Sequence, residues 1–391
     1  MRSLPLIIAL LLPGVAAAQE ATCGGNFSAF VSGLKDEAVA MGHDAATVDA
    51  FLSGVRLDQR VMERDRGQGI FQTPFIDFSR KLISQDRLDR GRGLAERWDE
   101  VFTRIESDYG IARGVLLAFW AFETDYGTFQ GDFNTLNALV TLAHDCRRPE
   151  IFRPQIFAAL ELYERGDFDP SRTTGAWAGE IGQVQMLPKD ILENGMDGDG
   201  DGHVLLKTSA PDALVSGAKM LASLGWRYGE PWLQEVVLPA NLGWSLTGLE
   251  TTMTVAEWER LGVAAREGAL DDGRLEASIL LPQGRGGPAF MAYPNFRVYF
   301  EWNQSFVYVT TAAYFATRLE GAPVYDAGNP NPGLSGDQMK RLQTALAGRG
   351  YDVGAIDGIL GAGTRAAVRD MQAQLGLPAD GWPTQDLLNR L

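Results

Sequence analysis

The amino-acid sequence predicts a mainly α-helical protein that carries a small β-containing insertion and ends in a small, separate helical unit. Apolar residues recur every three or four positions from residue 27 to residue 229, which places them on one face of each helix. Short β-like runs between glycine and proline replace that pattern over residues 235–297. Residues 321–333 have the composition of a linker and precede residues 334–391.

The predicted elements follow in order along the chain. Helical spacing is clearest over residues 27–38, 98–109, 115–122 and 156–163. In the insertion, residues 235–238 and 278–281 are β-like, and residues 255–261 have helical spacing. A last helix over residues 306–319 closes this part of the chain. We therefore expect one domain over residues 19–320, a linker over 321–333 and a second domain over 334–391.

Composition narrows the function. The chain has 391 residues, of which 45% are hydrophobic and 22% charged, as in an ordinary folded protein. The formal net charge is −15, with 35 Lys and Arg against 50 Asp and Glu, which argues against a nucleic-acid partner. Three histidines and two cysteines are too few and too scattered for a Cys-rich zinc site or an HExxH protease. Carboxylates are the expected catalytic groups.

The first residues have the pattern of a secretory signal. Met1 and Arg2 precede an apolar run over residues 4–15 and an A-x-A cleavage site at residues 16–18. This run is too short to span a membrane as a mature helix. We expect an exported protein without a transmembrane segment. Export favours a disulfide between Cys23 and Cys146, and two buried free thiols are the alternative.

One glutamate follows a very apolar helical segment. Glu123 comes directly after residues 115–122, and Gly127 is expected to end the helix in a left-handed cap. Apolar burial and the negative end of the helix dipole both raise the pKa of such a carboxyl group. A glutamic acid that is protonated near neutral pH can donate a proton to a glycosidic oxygen. The alternative is a helix-end glutamate that faces solvent. Asp125, two residues away, lies on another face of a helix and does not complete a carboxylate pair.

Four motifs follow one another along the chain, at residues 122–127, 137–142, 147–152 and 175–188. Their order and spacing resemble the membrane-bound lytic transglycosylase B family, and the likeness extends from residue 27 to residue 319. It implies a lysozyme-like helical domain in the periplasm. It also implies cleavage of peptidoglycan glycan strands between N-acetylmuramic acid and N-acetylglucosamine without water, which leaves a 1,6-anhydro end.

The resemblance makes Glu123 the single acid and base of that reaction. An intramolecular attack by the C6 hydroxyl of the sugar needs only one protein group, which first donates and later accepts a proton. No cofactor is required for this chemistry.

Two further segments are expected to line the cleft. By resemblance, Gln185 in the glycine-rich segment contacts sugar, and a buried glycine-rich turn is the alternative. The segment over residues 294–308 resembles the one that returns Asn303 and Tyr308 to the family's cleft, with Trp302 as a further sugar platform. Core packing is the alternative for Tyr308.

This sequence departs from the family at three positions of the glycine-rich segment. Ala176 stands where the family often has serine, and Met186 where it often has an aromatic residue. Glu180, where a small residue is common, is either a second acidic group of the cleft or a solvated or structural carboxylate.

A calcium-like loop lies in the same domain. Residues 197–203 reproduce the first seven positions of an EF-hand loop, but Thr208 replaces the bidentate glutamate at position 12. The family uses a longer loop that ends in aspartate. The expected ligands of a structural Ca²⁺ are Asp197, Asp199, Asp201, His203 and Asp212. The alternative is an Asp-Gly turn that binds no metal.

Residues 334–391 resemble the peptidoglycan-binding type 1 module, a three-helix domain. The likeness includes Gln343, Gln372 and the Asp-Gly pairs at 357–358 and 380–381. It implies that the module tethers the enzyme to the cell wall.

Two other functions stay open on the sequence. A hydrolytic muramidase would need a second carboxylate, either Glu180 or Asp132, across the cleft. A non-catalytic wall-binding scaffold would have Ala176 and Met186 as marks of a decayed site.

Overall fold

The computed structural model describes residues 22–67 and 73–391, so the predicted signal peptide lies outside the described residues. The helices are α1 (Phe27–Ala40), α2 (Ala45–Leu52), α3 (Gln59–Arg66), α4 (Phe75–Leu82), α5 (Gln85–Arg97), α6 (Asp99–Tyr109), α7 (Arg113–Thr124), α8 (Thr135–His144), α9 (Pro149–Arg165), α10 (Pro188–Asn194), α11 (Ala210–Ser223), α12 (Val255–Arg260), α13 (Pro294–Trp302), α14 (Phe306–Leu319), α15 (Gly336–Ala347), α16 (Ala362–Gln374) and α17 (Gln385–Asn389). The strands are β1 (Phe133–Asn134), β2 (Thr174–Gly175), β3 (Leu233–Val237), β4 (Met253–Thr254), β5 (Ala264–Ala265), β6 (Glu276–Leu280) and β7 (Phe290–Ala292).

The chain forms two compact units. Among the described residues, the first contains residues 22–65 and 133–179, and the second contains residues 66–67, 73–132 and 180–391. Within the part of the chain that the structure describes, no helix is both long and apolar enough to cross a membrane.

The first unit is built around α1, α2, α8 and α9. Helix α8 packs against α9 and α1, and α2 packs against α1 and α9. Leu34 and Leu139 are fully buried in this core. The strands β1 and β2 pair antiparallel, with Phe133 opposite Gly175. These two-residue strands were not expected, because their pairing depends on residues far apart in the sequence.

Two connections fasten the termini of the first unit's helices. The disulfide between Cys23 and Cys146 joins the residues before α1 to the turn after α8, which confirms the predicted bridge. The buried carboxylate of Asp65, near the end of α3, accepts hydrogen bonds from the guanidinium groups of Arg147 and Arg148. The buried charge of Asp65 is therefore compensated by two cations.

Helix α7 is the central helix of the second unit. All of its residues from Gly114 to Ala121 are buried, as expected for a helix that is apolar on every side. It packs against α14, α5, α6 and α11. The second unit also holds the predicted β-containing insertion as a five-stranded antiparallel sheet in the order β4-β6-β7-β3-β5. Trp258 of α12 is fully buried against this sheet and donates its indole N–H to the Ala277 carbonyl.

The C-terminal module is the predicted three-helix domain, formed by α15, α16 and α17. Two buried glutamines organise it in the same way. Gln343 accepts a hydrogen bond from the Gly358 amide at 2.8 Å, and Gln372 accepts one from the Gly381 amide at 2.9 Å. Each Asp-Gly turn is thus fixed by a glutamine on a preceding helix, which leaves no buried turn amide without a partner at these two sites.

The segment between the two predicted domains belongs to the second unit and packs against other parts of it. Residues 321–333 form neither helix nor strand. The Tyr325 ring is buried, and its hydroxyl lies 2.8 Å from the Ser79 hydroxyl. The Trp382 indole of the module donates to the Asn331 carbonyl at 2.9 Å. Residues 321–333 therefore have the composition of a flexible linker but make specific contacts with their surroundings.

We predict that the disulfide carries a large part of the first unit's stability. It closes a loop with a sequence separation of 123 residues. For such a loop the chain-entropy contribution is about 4 to 5 kcal/mol at most. The Cys23→Ser/Cys146→Ser double variant should therefore melt at a clearly lower temperature than the wild type. Alkylation without reductant, followed by intact-mass measurement, should find no free thiol in the wild type, and two modified cysteines would refute the bridge.

Candidate active site

Glu123 lies in the last turn of α7 and accepts two hydrogen bonds on the same oxygen. The Tyr308 hydroxyl donates to Oε1 at 2.5 Å, and the Trp302 indole N–H donates to Oε1 at 3.1 Å. Burial raises the pKa of Glu123 to about 7, although both hydrogen bonds act in the opposite direction. Because two donors occupy Oε1, Oε2 is the oxygen left to hold the proton in the acid form. The result is a carboxyl group that can both give and take a proton near neutral pH.

The two donors come from the junction of α13 and α14. Trp302 is the last residue of α13, and its ring stacks on Phe119 of α7 with centroids 4.4 Å apart. Tyr308 is in the first turn of α14, where Ser305 caps the helix by accepting the Tyr308 amide. The Asn303 side chain accepts the Ser305 amide at 2.9 Å. This capped junction fixes the directions of both donors.

The turn after Glu123 differs from the predicted one. Helix α7 ends with Asp125 in the left-handed conformation at φ +52°, so Gly127 is not the cap. Tyr126 and Gly127 also have positive φ, at +61° and +83°. The positive φ of Gly127 favours glycine, and a Cβ there would also lie 2.7 Å from Oε1 of Gln183, whose side chain would have to shift.

Ion pairs and one buried hydroxyl hold this strained turn in place. Asp125 accepts hydrogen bonds from Arg87 at 2.9 Å and Arg90 at 2.7 Å. Burial acts to raise the pKa of Asp125, but the two guanidinium groups hold it below its ordinary value. The buried Thr124 hydroxyl donates to the Gln183 carbonyl at 2.6 Å and accepts the Gly127 amide at 2.8 Å. Thr124 thereby ties the end of α7 to the glycine-rich loop.

The glycine-rich loop is a tight antiparallel hairpin closed by Ile181 and Met186. Gln185 is at its tip with φ +56°, and its side-chain amide donates to the Gly182 carbonyl at 2.8 Å. Met186, in place of the family's usual aromatic residue, is fully buried. The glycines let the backbone of this loop lie close to its neighbours.

Glu180 and Asp132 are the two candidates for a second carboxylate, and of these Glu180 is the one that affects the pKa of Glu123. The charge of Glu180 raises the pKa of Glu123 further, after burial has raised it. Asp132 is exposed to solvent. A like charge near an acid disfavours its ionised form, so Glu180 helps to hold the proton on Glu123.

The predicted calcium loop brings three carboxylates together. One oxygen from each of Asp197, Asp199 and Asp212 lies within 4.8 Å of the others. Asp212 is fully buried in the first turn of α11, and its two oxygens accept the amides of Gly198 and Leu205. The remaining predicted ligands, Asp201 and His203, do not belong to this group. Instead, the Asp201 carboxylate accepts the His203 amide at 2.9 Å.

The sequence did not reveal the roles of Trp302, Thr124, Arg87 and Arg90 around Glu123. The sequence predicts Trp302 only as a sugar platform, whereas its indole N–H donates to Glu123. The only local signal for the linking role of Thr124 is its position directly after the glutamate. The arginines lie far from Glu123 in the sequence, and nothing in their own segment pairs them with Asp125.

A helical domain of this kind, with one proton-carrying glutamate between two hydrogen-bond donors and a small three-helix module after it, defines a lysozyme-like lytic transglycosylase. Comparison with known families gives the same result. The chain belongs to the transglycosylase SLT domain family, whose model matches residues 26–317. A peptidoglycan binding domain matches residues 335–391.

Individual relatives agree with this assignment. The membrane-bound lytic murein transglycosylase B of Escherichia coli K12 is 25% identical over 233 residues, which are 59% of this chain and 63% of the relative. SltB3 of Pseudomonas aeruginosa, solved with NAG-anhNAM-pentapeptide, is 36% identical with a TM-score of 0.85, over 94% of this chain and 99% of that one. The E. coli Slt35 structure in complex with calcium is 23% identical with a TM-score of 0.65, over 80% of this chain and 98% of that one, and shows a shared fold.

We predict that the charge of Glu180 contributes to the upper pH limit of activity, after the larger effect of burial. Replacing Glu180 by Gln removes a negative charge near Glu123, so the pKa of Glu123 should fall. If Glu123 is active in its acid form, as the resemblance implies, the loss of kcat on the alkaline side should then begin at lower pH than in the wild type. Asp132→Gln, at an exposed position, is the control and should leave the profile unchanged. A Glu180→Gln profile that coincides with the wild type would show that Glu180 has no such effect.

Proposed function

We propose that this protein is a periplasmic lytic transglycosylase that cleaves the β-1,4 bond between N-acetylmuramic acid and N-acetylglucosamine without water and leaves 1,6-anhydro ends. The observation that carries this proposal is the environment of Glu123, a carboxyl group with a pKa of about 7 that two donors hold by one oxygen. The family of the chain and the muropeptide bound to SltB3 support the choice of substrate.

The proposed reaction uses Glu123 twice. Its Oε2 proton is transferred to the glycosidic oxygen while the bond from that oxygen to C1 of the muramic acid breaks. The charge that develops at C1 is stabilised by the bound substrate and by the surrounding dipoles. The Glu123 carboxylate then removes the proton of the C6 hydroxyl as O6 bonds to C1. The proton on Glu123 is restored, and no water is consumed.

Side chains around Glu123 are proposed to hold the sugar. Tyr308 and Trp302 keep Oε1 occupied, which directs Oε2 to the substrate. Gln185, at the tip of the hairpin, and Asn303, at the start of the capped junction, are proposed to bind hydroxyl and N-acetyl groups. The aromatic rings of Tyr308 and Trp302 also suit the apolar faces of a sugar ring.

A hydrolytic muramidase is the second candidate, because Glu180 is close enough to affect Glu123 electrostatically. Hydrolysis requires the second carboxylate to be ionised and to activate a water molecule. A non-catalytic scaffold is disfavoured by the intact set of Glu123, Tyr308 and Trp302.

The C-terminal module is proposed to bind peptidoglycan and to keep the enzyme on the wall. Export is proposed to be directed by the signal peptide, which is then cleaved.

We predict that Glu123→Gln reduces turnover of purified sacculi by roughly a hundredfold or more, because the variant keeps the shape but has no transferable proton. Mass spectrometry of the wild-type products should find anhydro ends, whereas hydrolysed ends are heavier by one water. A folded Glu123→Gln protein with near wild-type turnover would refute the role of Glu123. Hydrolysed ends would identify a muramidase.

We also propose that the acidic loop holds a structural Ca²⁺. Carboxylate oxygens are hard ligands of the kind that calcium prefers, and Asp197, Asp199 and Asp212 supply them from one small region. Without a cation, three carboxylates within this distance repel each other. Backbone amides, that of Gly202 first, lower the pKa of Asp197 and keep it ionised. The ion would join the loop to α11 and has no part in the chemistry of Glu123.

We predict that calcium raises the melting temperature of the full chain. At a hundredfold excess over Kd, binding to the native state contributes about 2.7 kcal/mol. Asp199→Asn, at an exposed ligand, should abolish the shift. Asp201→Asn tests whether Asp201 is also a ligand. If it is, as in the EF-hand pattern, the variant abolishes the calcium-dependent rise in melting temperature. If Asp197, Asp199 and Asp212 suffice, the rise is kept. Melting curves that coincide with calcium and with chelator would show that the loop is only a turn.

A further inference from the structure

Arg365 of the C-terminal module is buried against the catalytic part of the second unit. Its side chain is 6% exposed. The guanidinium carbon lies 4.3 Å from the ring centroid of Phe306 and 5.7 Å from that of Trp382. The guanidinium donates to the Pro282 carbonyl at 2.8 Å and the Leu281 carbonyl at 3.4 Å. Arg365 therefore joins the module to two separate segments of the catalytic part.

Phe306 is the first residue of α14, and this position connects Arg365 to the active site. The same helical turn contains Tyr308, whose hydroxyl donates to Glu123 at 2.5 Å. The cap of this turn, Ser305, holds the Tyr308 amide. A displacement of Phe306 would move this first turn, and with it the Tyr308 hydroxyl.

We propose that Arg365 is a positioning residue for the reaction: through Phe306 it fixes the first turn of α14 and thereby holds the Tyr308 hydroxyl against Glu123. This inference rests on the proposed function of Glu123. It gives the module a second role besides binding the wall.

The contact requires an arginine for physical reasons. A buried cation is costly unless hydrogen bonds and aromatic faces replace the lost water. The planar guanidinium of Arg365 can stack on Phe306 and at the same time donate in its own plane to the two carbonyls. A lysine has one compact ammonium group and cannot make the stacked contact in this way.

A second arginine of the same helix provides a matched control. Arg369 forms an ion pair with Glu250 at 2.8 Å, so it also connects the module to the catalytic part. Its partner lies in the β-containing insertion and not in α14. Loss of Arg369 should loosen the docked module without moving Phe306 directly.

The experiment compares full-length Arg365→Met, Arg365→Lys and Arg369→Gln proteins on a short soluble glycan, for which wall tethering is not needed. Arg365→Met should lower kcat roughly tenfold with a smaller change in KM, since the displaced Tyr308 hydroxyl acts on the acid, whereas Gln185 and Trp302, two other proposed sugar contacts, lie outside α14. The Tyr308 hydrogen bond lowers the pKa of Glu123, so its loosening should move the alkaline limb of kcat to higher pH. Arg365→Lys, which keeps the charge, should show the same shift. Arg369→Gln should lower the melting temperature and leave kcat and the pH limb as in the wild type.

A double-mutant cycle with Tyr308→Phe tests the route of the effect. If Arg365 acts through Tyr308, the two changes are not additive, and Arg365→Met in the Tyr308→Phe background has little further effect on kcat. Three outcomes would overturn the proposal. They are additive effects in the cycle, an alkaline limb of kcat that does not move in either folded Arg365 variant, and an equal loss of kcat in Arg369→Gln. Glu123→Gln on the same substrate separates the two hypotheses: activity there refutes the proposed function, whereas an inactive Glu123→Gln with fully active Arg365 variants refutes only the role of Arg365.

Discussion

The hydrogen bond between the Tyr308 hydroxyl and Glu123 is the contact on which the site depends. It joins α7 to α14 across the core of the second unit, so Glu123 gains this hydrogen bond only when both helices are packed in place. The apolar surface of α7 drives its burial, and that burial carries Glu123 into surroundings of low polarity. Two donors on Oε1 then orient the carboxyl group and leave Oε2 for the proposed proton transfer.

This arrangement is a functional compromise between stability and catalysis. The folded-state pKa of Glu123 is raised from 4.5 to about 7. A group with a raised folded-state pKa stabilises the native state fully below its unfolded pKa, and this contribution is lost as pH rises through the folded pKa. At neutral pH the protein therefore keeps a carboxyl group that resists ionisation, and that resistance makes it a useful acid.

The parts around the site restrict its motion in different ways. Asp125, held by Arg87 and Arg90, fixes a turn of three left-handed residues directly after the end of α7 at Thr124. Thr124 links that turn to the hairpin that carries Gln185. The module docks beside the first turn of α14, and residues 321–333 contact both the module and helix α4. A wall-binding module joined in this way belongs to the compact structure that holds the acid.

The sequence by itself determined much of the local structure and predicted the burial that raises the pKa of Glu123. Periodicity predicted the helix Phe306–Leu319 at both ends, the apolar composition of α7 predicted its burial, and export together with two cysteines predicted the disulfide. These features depend on nearby residues or on the cellular compartment. Only the tertiary structure decided that Asp125 caps α7, that Trp302 donates to Glu123 and that Arg365 stacks on Phe306. Each of these contacts depends on how the packed elements orient their side chains. A pattern along the sequence does not predict that orientation.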